Sequence, residues 1–327
     1  MNMRILKTGI ASIQDLGREG YRNMGIVRGG VMDPLAAQLG NMLVANTDQA
    51  AVAEVAAGLF SVSFNKTQLI AITGSGYRAT LNEQALPFWQ PALAEAGDTL
   101  QIIPEKGGMA YLSVHGGFRI APVLGSRSTN LVAGFGGLHG RLLQQGDELP
   151  LAIMPEPVAE KIIRFLSTKE NVNRRRLAPS AIPDYSRQSI RFVPGHEYGS
   201  FTTDSRRAVE AEAFELTTIA NRMGYRLKGQ PLYLDMQREL ISTAVVPGTM
   251  QVSPDGQVLV LMADAQTAGG YPRIGQVIAA DLPLLAQKTA GSQIRFTAIN
   301  LADAENTWLA RESQLRSLIK DYNLHFS

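Results

Sequence analysis

The chain has 327 residues, a formal net charge of +2 from 31 Lys and Arg against 29 Asp and Glu, and no cysteine. That length accommodates about two domains of ordinary size, and 45% hydrophobic with only 18% charged residues argues against disorder. Without cysteine there are no disulfides, thiolate nucleophiles or Cys-ligated metal centres, and the positive surplus sits in residues 151–190 (+3), which excludes a broadly basic nucleic-acid-binding domain.

In chain order, the first 17 residues lack the apolar core of a signal peptide. Asp33-Pro34 then opens a helix: Asp caps, Pro occupies the first turn, and Leu35, Leu39, Met42 and Leu43 form one apolar stripe before Asn46 ends it. LQII (100–103), AYLSV (110–114), IRFV (190–193) and QVLVLM (257–262) read as short strands bounded by Gly, Pro or Asp. Residues 155–185, with four prolines and the run Arg174-Arg175-Arg176, read as a solvated linker. A last helix is expected from about Asp303 to Tyr322, packing through Ala304, Trp308, Leu315, Leu318 and Ile319. No apolar run approaches the roughly 20 residues of a membrane helix, so a cytoplasmic protein is expected.

A weak internal repeat accompanies these elements. Gly76-Tyr77-Arg78 recurs as Gly224-Tyr225-Arg226, and TLQIIP (99–104) recurs as TMQVSP (249–254). Each is followed by an apolar strand and a Gly-Gly pair, which points to two tandem domains of one β-rich fold. The expected boundaries are 1–154 and 186–327, joined by 155–185.

The strings of P-loop ATPases, α/β-hydrolases and Rossmann proteins are absent; GFGGLHG (134–140) misses the dinucleotide spacing by one residue. His115, His139, His196 and His325 lie far apart, so no metal site is expected. Four glycine-rich polar clusters remain. Residues 12–33 hold Gln14, Asp15, Arg18, Arg22, Arg28 and Asp33; close backbone approach and Arg beside Asp suit an anion, or simply a turn-rich loop, with Asp33 as a helix cap. GSRSTN (125–130) offers Ser126 and Arg127 for an anion nest, or an ordered loop. NRMGYRLKG (221–229) brings Arg222 and Arg226 near one turn, fit for a carboxylate or phosphate or exposed on the surface. ADAQTAGGYPRIG (263–275) places Asp264, Gln266, Thr267 and Tyr271 at a strand end, where Asp264 could serve as a base or cap the loop. His115 reads as structural.

The strings SIQDLGREGYRNMGI, GGVMDPLAAQLGNMLVAN, LGSRST, GRLLQQGDELP, NRMGYRLKG, MQVSPDGQVLVLMADAQTAGGYPRI and GSQIRF, spread over about residues 5 to 300, resemble the 5-oxoprolinase C-subunit family. That family is also called allophanate hydrolase subunit 2 or biotin-dependent carboxyltransferase family protein. The resemblance implies a mainly β chain of two tandem cyclophilin-like β-barrels. It also implies work with the 5-oxoprolinase A and B subunits, which together with this one open 5-oxoproline to L-glutamate with ATP hydrolysis. Other members of the family transfer carboxyl groups from biotin to urea, or regulate a sporulation kinase. Pro194-Gly195-His196-Glu197 departs from the Pro-Gly-Pro common in the family, so His196 reads as a substitute. No Met-Lys-Met string is present to carry biotin.

On that resemblance, the expected cofactor is ATP with Mg2+. Opening the lactam then requires a carboxylate, a phosphate chain and the ring to be held in line. Arg222 and Arg226 are expected to bind anions, and Asp264, Gln266 and Tyr271 to line the reacting centre. Gln14, Asp15 and Arg18 would close the site or face the B subunit, with Ser126, Arg127 and Thr267 completing the polar set.

Overall fold

Alternation of inward and outward residues marks several strands: Met3 and Ile5 of NMRILK, Ile190 and Phe192 of SIRFVP, and Ile294 and Phe296 of QIRFTA are buried while their neighbours are not. That period of two leaves one apolar face per strand to bury. The computed structural model describes residues 2–152, 157–167, 176–236 and 240–326. The chain is mainly β, as expected, and divides into two units. Met1–Arg18, Gly29–Pro183 and Arg316–Ser327 form the first; Glu19–Arg28 and Asp184–Leu315 form the second.

The first unit contains β1 (Asn2–Lys7), β2 (Ile10–Gln14), α1 (Pro34–Leu43), β3 (Val52–Ala57), β4 (Phe60–Phe64), β5 (Gln68–Gly74), β6 (Tyr77–Leu81), β7 (Gln84–Leu86), β8 (Pro91–Ala94), β9 (Thr99–Pro104), β10 (Ala110–Val114), β11 (Glu148–Pro150) and α2 (Pro157–Ser167). Its strands form a six-stranded sheet, β11-β1-β4-β9-β6-β7, and a five-stranded sheet, β2-β3-β10-β5-β8. Met3, Phe60, Val62 and Ile102 from the first meet Ile13, Val55, Ile72 and Leu112 from the second in one core. Each fully buried aliphatic or aromatic side chain there contributes about 1.5–3 kcal/mol. The α1 helix starts as expected, with the Asp33 carboxylate accepting the Ala36 N–H at 3.0 Å, and it packs against β5 and β10. Asn46 then ties the chain down, donating to the Val114 carbonyl and accepting from Gly116 N–H.

The segment expected to be a solvated linker is corrected in part. Residues 157–167 form α2, which buries Ala159 and Ile162 and contacts β8, and Leu177 donates its N–H to the Trp89 carbonyl at 2.8 Å. Val158, Ile162, Phe165 and Leu166 fall at helical spacing, which the prolines around them obscured. Arg174 and Arg175 lie outside the described residues, and Arg176 is exposed.

The second unit contains β12 (Ser189–Pro194), α3 (Thr203–Ala211), β13 (Ala213–Ala220), β14 (Gly224–Lys228), β15 (Thr243–Ala244), β16 (Thr249–Val252), β17 (Val258–Leu261), β18 (Ala268–Gly269), β19 (Arg273–Val277), α4 (Leu282–Ala286), β20 (Gln293–Ala298) and the start of α5 (Leu301–His325). Seven strands close a barrel in the order β12-β19-β16-β17-β14-β13-β20, sealed by the parallel pair of β12 and β20. Phe296 packs against Phe192 and Phe214 at ring separations of 6.1 and 5.9 Å inside it. Asp281, buried, receives the Arg191 backbone N–H and the Nε and Nη2 donors of its guanidinium at 2.7–3.0 Å, with Arg187 at 2.6 Å. These contacts hold the Asp281 carboxyl below its ordinary range although burial pushes it the other way.

The internal repeat holds at the level of the strand and not of the sheet. Tyr77 and Tyr225 both point inward at the start of a strand, and Arg78 and Arg226 both face solvent. Yet β9 pairs directly with β6, whereas β17 separates β16 from β14. The packing stripe expected on the last helix is corrected too. Leu315 is the buried residue of α5, while Trp308 is 41% exposed. The helix is held at points instead: Arg311 donates to the Ala280 carbonyl and Tyr322 to the Leu43 carbonyl. Among the described residues no helix is long and apolar enough to cross a membrane.

Candidate functional site

In the first unit, two clusters more than 100 residues apart in sequence form one polar knot. Asp15, at the end of β2, accepts from Gly17 N–H (2.9 Å), Ser126 Oγ (2.6 Å), Ser128 Oγ (2.6 Å) and Arg127 N–H (2.5 Å). The Ser128 N–H is taken by Ser126 Oγ, and the Ser126 N–H by the Val123 carbonyl. The nest expected here thus holds the protein's own carboxylate in place of a ligand anion. Arg18, 1% exposed, donates to the Ser128 carbonyl at 2.6 Å and stacks 4.8 Å over the Phe135 ring. Arg127 reaches back to the Ile120 carbonyl through Nε at 2.9 Å. Gln14, also fully buried, donates to Ser12 Oγ and the Thr129 carbonyl.

The same knot pinches the chain where residues 19–28 leave for the second unit. The Val31 N–H bonds to the Asp15 carbonyl, and Gly30 lies so close to Gly17 that a Cβ there would meet its nitrogen at 2.9 Å. Gly30 also needs a φ of +96°, so glycine is required twice over.

In the second unit the expected residues separate into two groups. Arg222 and Asp264 bind one another: Nε to Oδ2 at 2.8 Å and Nη2 to Oδ1 at 2.9 Å, with both side chains largely enclosed. The Asp264 N–H also bonds to the Arg222 carbonyl, so the pair staples the turn before β14 to the loop after β17. Arg222 therefore already has a carboxylate in place of the ligand anion expected of it, and Asp264 is held by a guanidinium instead of standing free as a base. Arg226 is exposed on β14, and Thr267 lends its carbonyl to the Val245 N–H.

Gln266 and Tyr271 belong to a cleft of about 880 Å³ lined also by Phe201, Leu232, Tyr233, Leu240, Ser242, Gln251, Ser253, Leu259 and Pro272. Next to the lining residue Pro272, Arg273 is held by Glu197 through its Nε–Nη2 edge at 2.8 and 2.6 Å. That hydrogen bonding holds the Glu197 carboxyl below its usual range. In the departing string Pro194-Gly195-His196-Glu197, the working residue is thus Glu197, and His196 is exposed. His115 is structural, its Nδ1 2.7 Å from the Val44 carbonyl.

Sequence reasoning missed Gln251, Glu197 and Asp281. Gln251 stood in view within TMQVSP, but all four residues of β16 are buried, so no alternation marks which of them lines a cavity.

The β-dominated fold with its closed barrel is that of a carboxyltransferase-type protein. A family model for the carboxyltransferase domain, subdomain A and B, matches residues 24–298, and the chain belongs to that family. It is 38% identical over 316 residues to the Escherichia coli (strain K12) protein named as the C subunit of 5-oxoprolinase, covering 96% of each chain. The Haemophilus influenzae protein of the same name is 37% identical, over 96% of this chain and 97% of that one. A urea amidolyase of Saccharomyces cerevisiae is 26% identical over 94% of this chain but only 17% of its own length. In fold, the solved urea carboxylase of Kluyveromyces lactis matches with a TM-score of 0.86 at 24% identity, over 96% of this chain and 29% of that one.

Proposed function

We propose that this chain is the C subunit of a cytoplasmic, ATP-dependent 5-oxoprolinase, converting 5-oxo-L-proline to L-glutamate together with A and B subunit homologues. The observation that carries this reading is the end-to-end similarity, at 37–38% identity, to two bacterial proteins named for that subunit. The urea-acting relatives align only as one segment of far longer chains.

Among the described residues no buried carboxylate stands free for a magnesium–ATP site. Every buried carboxylate among them already accepts hydrogen bonds: Asp15 and Asp281 as above, Asp33 from Ala36, Glu54 from Met32 and Glu197 from Arg273. No group of three or more acidic or histidine side chains converges among the described residues. We therefore assign the nucleotide to a partner subunit. This chain is left with substrate positioning, through the cleft that Gln266 and Tyr271 line, and with holding its partners.

The test is a pulldown with this chain tagged in its own cells, followed by glutamate release from 5-oxoproline with and without ATP. ATP-dependent release is expected. No release from a complex that contains both partners would overturn the reading, and a biotinylated partner in that complex would redirect it to carboxyl transfer.

A further inference from the structure

The polar knot of the first unit carries two loops for which substrate positioning has no use. Both are tied to Arg127: its Nε donates to the Ile120 carbonyl at 2.9 Å, and its own carbonyl accepts the Gly137 N–H at 3.0 Å. In the first loop Val123 and Ser126 exchange backbone hydrogen bonds, and Ala121, Pro122 and Val123 are exposed. In the second, Asn130 closes the turn from both sides. Its N–H bonds to the Phe135 carbonyl at 2.8 Å, its carbonyl accepts from Gly134 at 2.9 Å, and its side chain accepts from Ala133 N–H at 3.0 Å. Leu131, Val132 and Ala133 stand exposed on that turn, Val132 to 83%.

The turn is held in place from below. Phe135 lies under the Arg18 guanidinium, and Gly137 runs so close to Thr129 that a Cβ would meet Oγ1 at 1.9 Å. Leu124 and His139 adopt φ of +53° and +60°, which costs a side-chain-bearing residue energy and persists only where the surroundings enforce it. Apolar side chains fixed in water by such a framework contribute nothing to the core; they gain only when a second surface covers them, and their rigidity lowers the entropy lost in that step. Charge defines the kind of surface. From Lys106 to Gly146 the chain holds Arg119, Arg127 and Arg141 and no Asp or Glu. Asp147 neutralises Arg141 through two hydrogen bonds of 2.8 Å. Among the described residues no carboxylate pairs with the guanidinium of Arg119 or of Arg127.

We propose that these two loops form a docking knob for a partner subunit, one that offers an apolar socket to Val132 with carboxylates at its rim. That this partner belongs to a 5-oxoprolinase complex rests on the function proposed above; the character of its socket rests on the loops. A second copy of the chain fits less well. About a two-fold axis the patch would face itself, with Arg119 and Arg127 against their own images. A membrane also fits less well, since Arg119 and Arg127 fall short of the about four to eight basic residues of a lipid-binding cluster, and no aromatic side chain stands among residues 121–126 or 131–134.

The test is binding of the full chain to separately purified A and B homologues, followed by biolayer interferometry and by hydrogen–deuterium exchange. One of the two is expected to protect the amides of residues 131–135 from exchange. Val132→Asp should keep the wild-type melting temperature and weaken that binding at least about tenfold. Arg119→Glu should slow association about threefold or more and flatten its dependence on salt. Wild-type affinity of Val132→Asp for both partners would overturn the proposal. So would binding that leaves the loop unprotected, or no binding of the wild-type chain to either partner. Two outcomes would hand the knob to another occupant, each with partner binding intact in Val132→Asp. Loss of binding to phosphatidylglycerol vesicles would make it a membrane contact, and loss of concentration-dependent self-association a contact between copies. Glutamate release from 5-oxoproline, measured in parallel, keeps the two readings apart. A complex that turns over while Val132→Asp stays fully bound sinks the docking knob alone. A complex that depends on Val132 and releases no glutamate sinks the oxoprolinase reading alone.

Discussion

Asp15 shows how a residue chosen for ligand chemistry can be consumed by structure. Four donors converge on its carboxylate from Gly17, Ser126, Arg127 and Ser128, all in the first unit. Asp15→Ala is expected to leave two buried hydroxyls and two amides without their acceptor and to lower stability by about 3 kcal/mol, read from the denaturant midpoint. Activity of the assembled complex should then fall only in step with the folded fraction. Arg222 and Asp264 pose the complementary question. If their pairing is structural, Arg222→Ala and Asp264→Ala will each destabilise, and the double variant will lose less than the sum by about 1–3 kcal/mol. Full stability in Asp264→Ala with turnover abolished would restore the catalytic role expected of it from sequence.

At the scale of the element, local chemistry was readable where it is local. The cap of α1 is written in Asp33-Pro34, and the structure adds only that the Asp33 N–H also bonds to Tyr111 Oη at 2.9 Å. Asp33→Ala is expected to cost about 1 kcal/mol by thermal melting, the usual worth of such a cap. Strands β9, β10, β12 and β17 fall within a residue or two of the segments expected. The α2 helix was hidden because prolines at both ends of its segment outweighed the apolar spacing between them. The last helix was placed correctly and packed wrongly, because an apolar stripe says that a face exists and not that anything covers it.

For the whole molecule, the pH dependence of stability should reflect its buried ion pairs. The Asp281 and Glu197 carboxyls titrate lower when folded than when unfolded. Their contribution is therefore complete above the ordinary carboxylate range and is lost as the pH falls through and below it. Chemical unfolding followed from pH 7 downward should show stability declining on the acid side, with a shallower decline in Asp281→Asn. Asp281→Ala should cost about 3 kcal/mol at neutral pH, since it strands two arginines on a partly buried surface. A pH profile unchanged by Asp281→Asn would remove this residue from the acid response.

The sequence by itself determined the β-rich class, the ends of α1, most strands and the strings that mark the family. Each of these depends on residues within one turn or one strand of each other, where periodicity and caps act directly. Only the tertiary structure decided that Asp15 fills the nest at Ser126–Ser128, that Arg222 spends itself on Asp264, and that Glu19–Arg28 belongs with the second unit. It also singled out Gln251, whose neighbours on β16 are as buried as it is and whose unpaired oxygen exists only once β16, β18 and the Tyr271 loop are brought together. Which strands adjoin is a property of the closed barrel as a whole, and the partner of a polar atom follows from that closure, not from its own string.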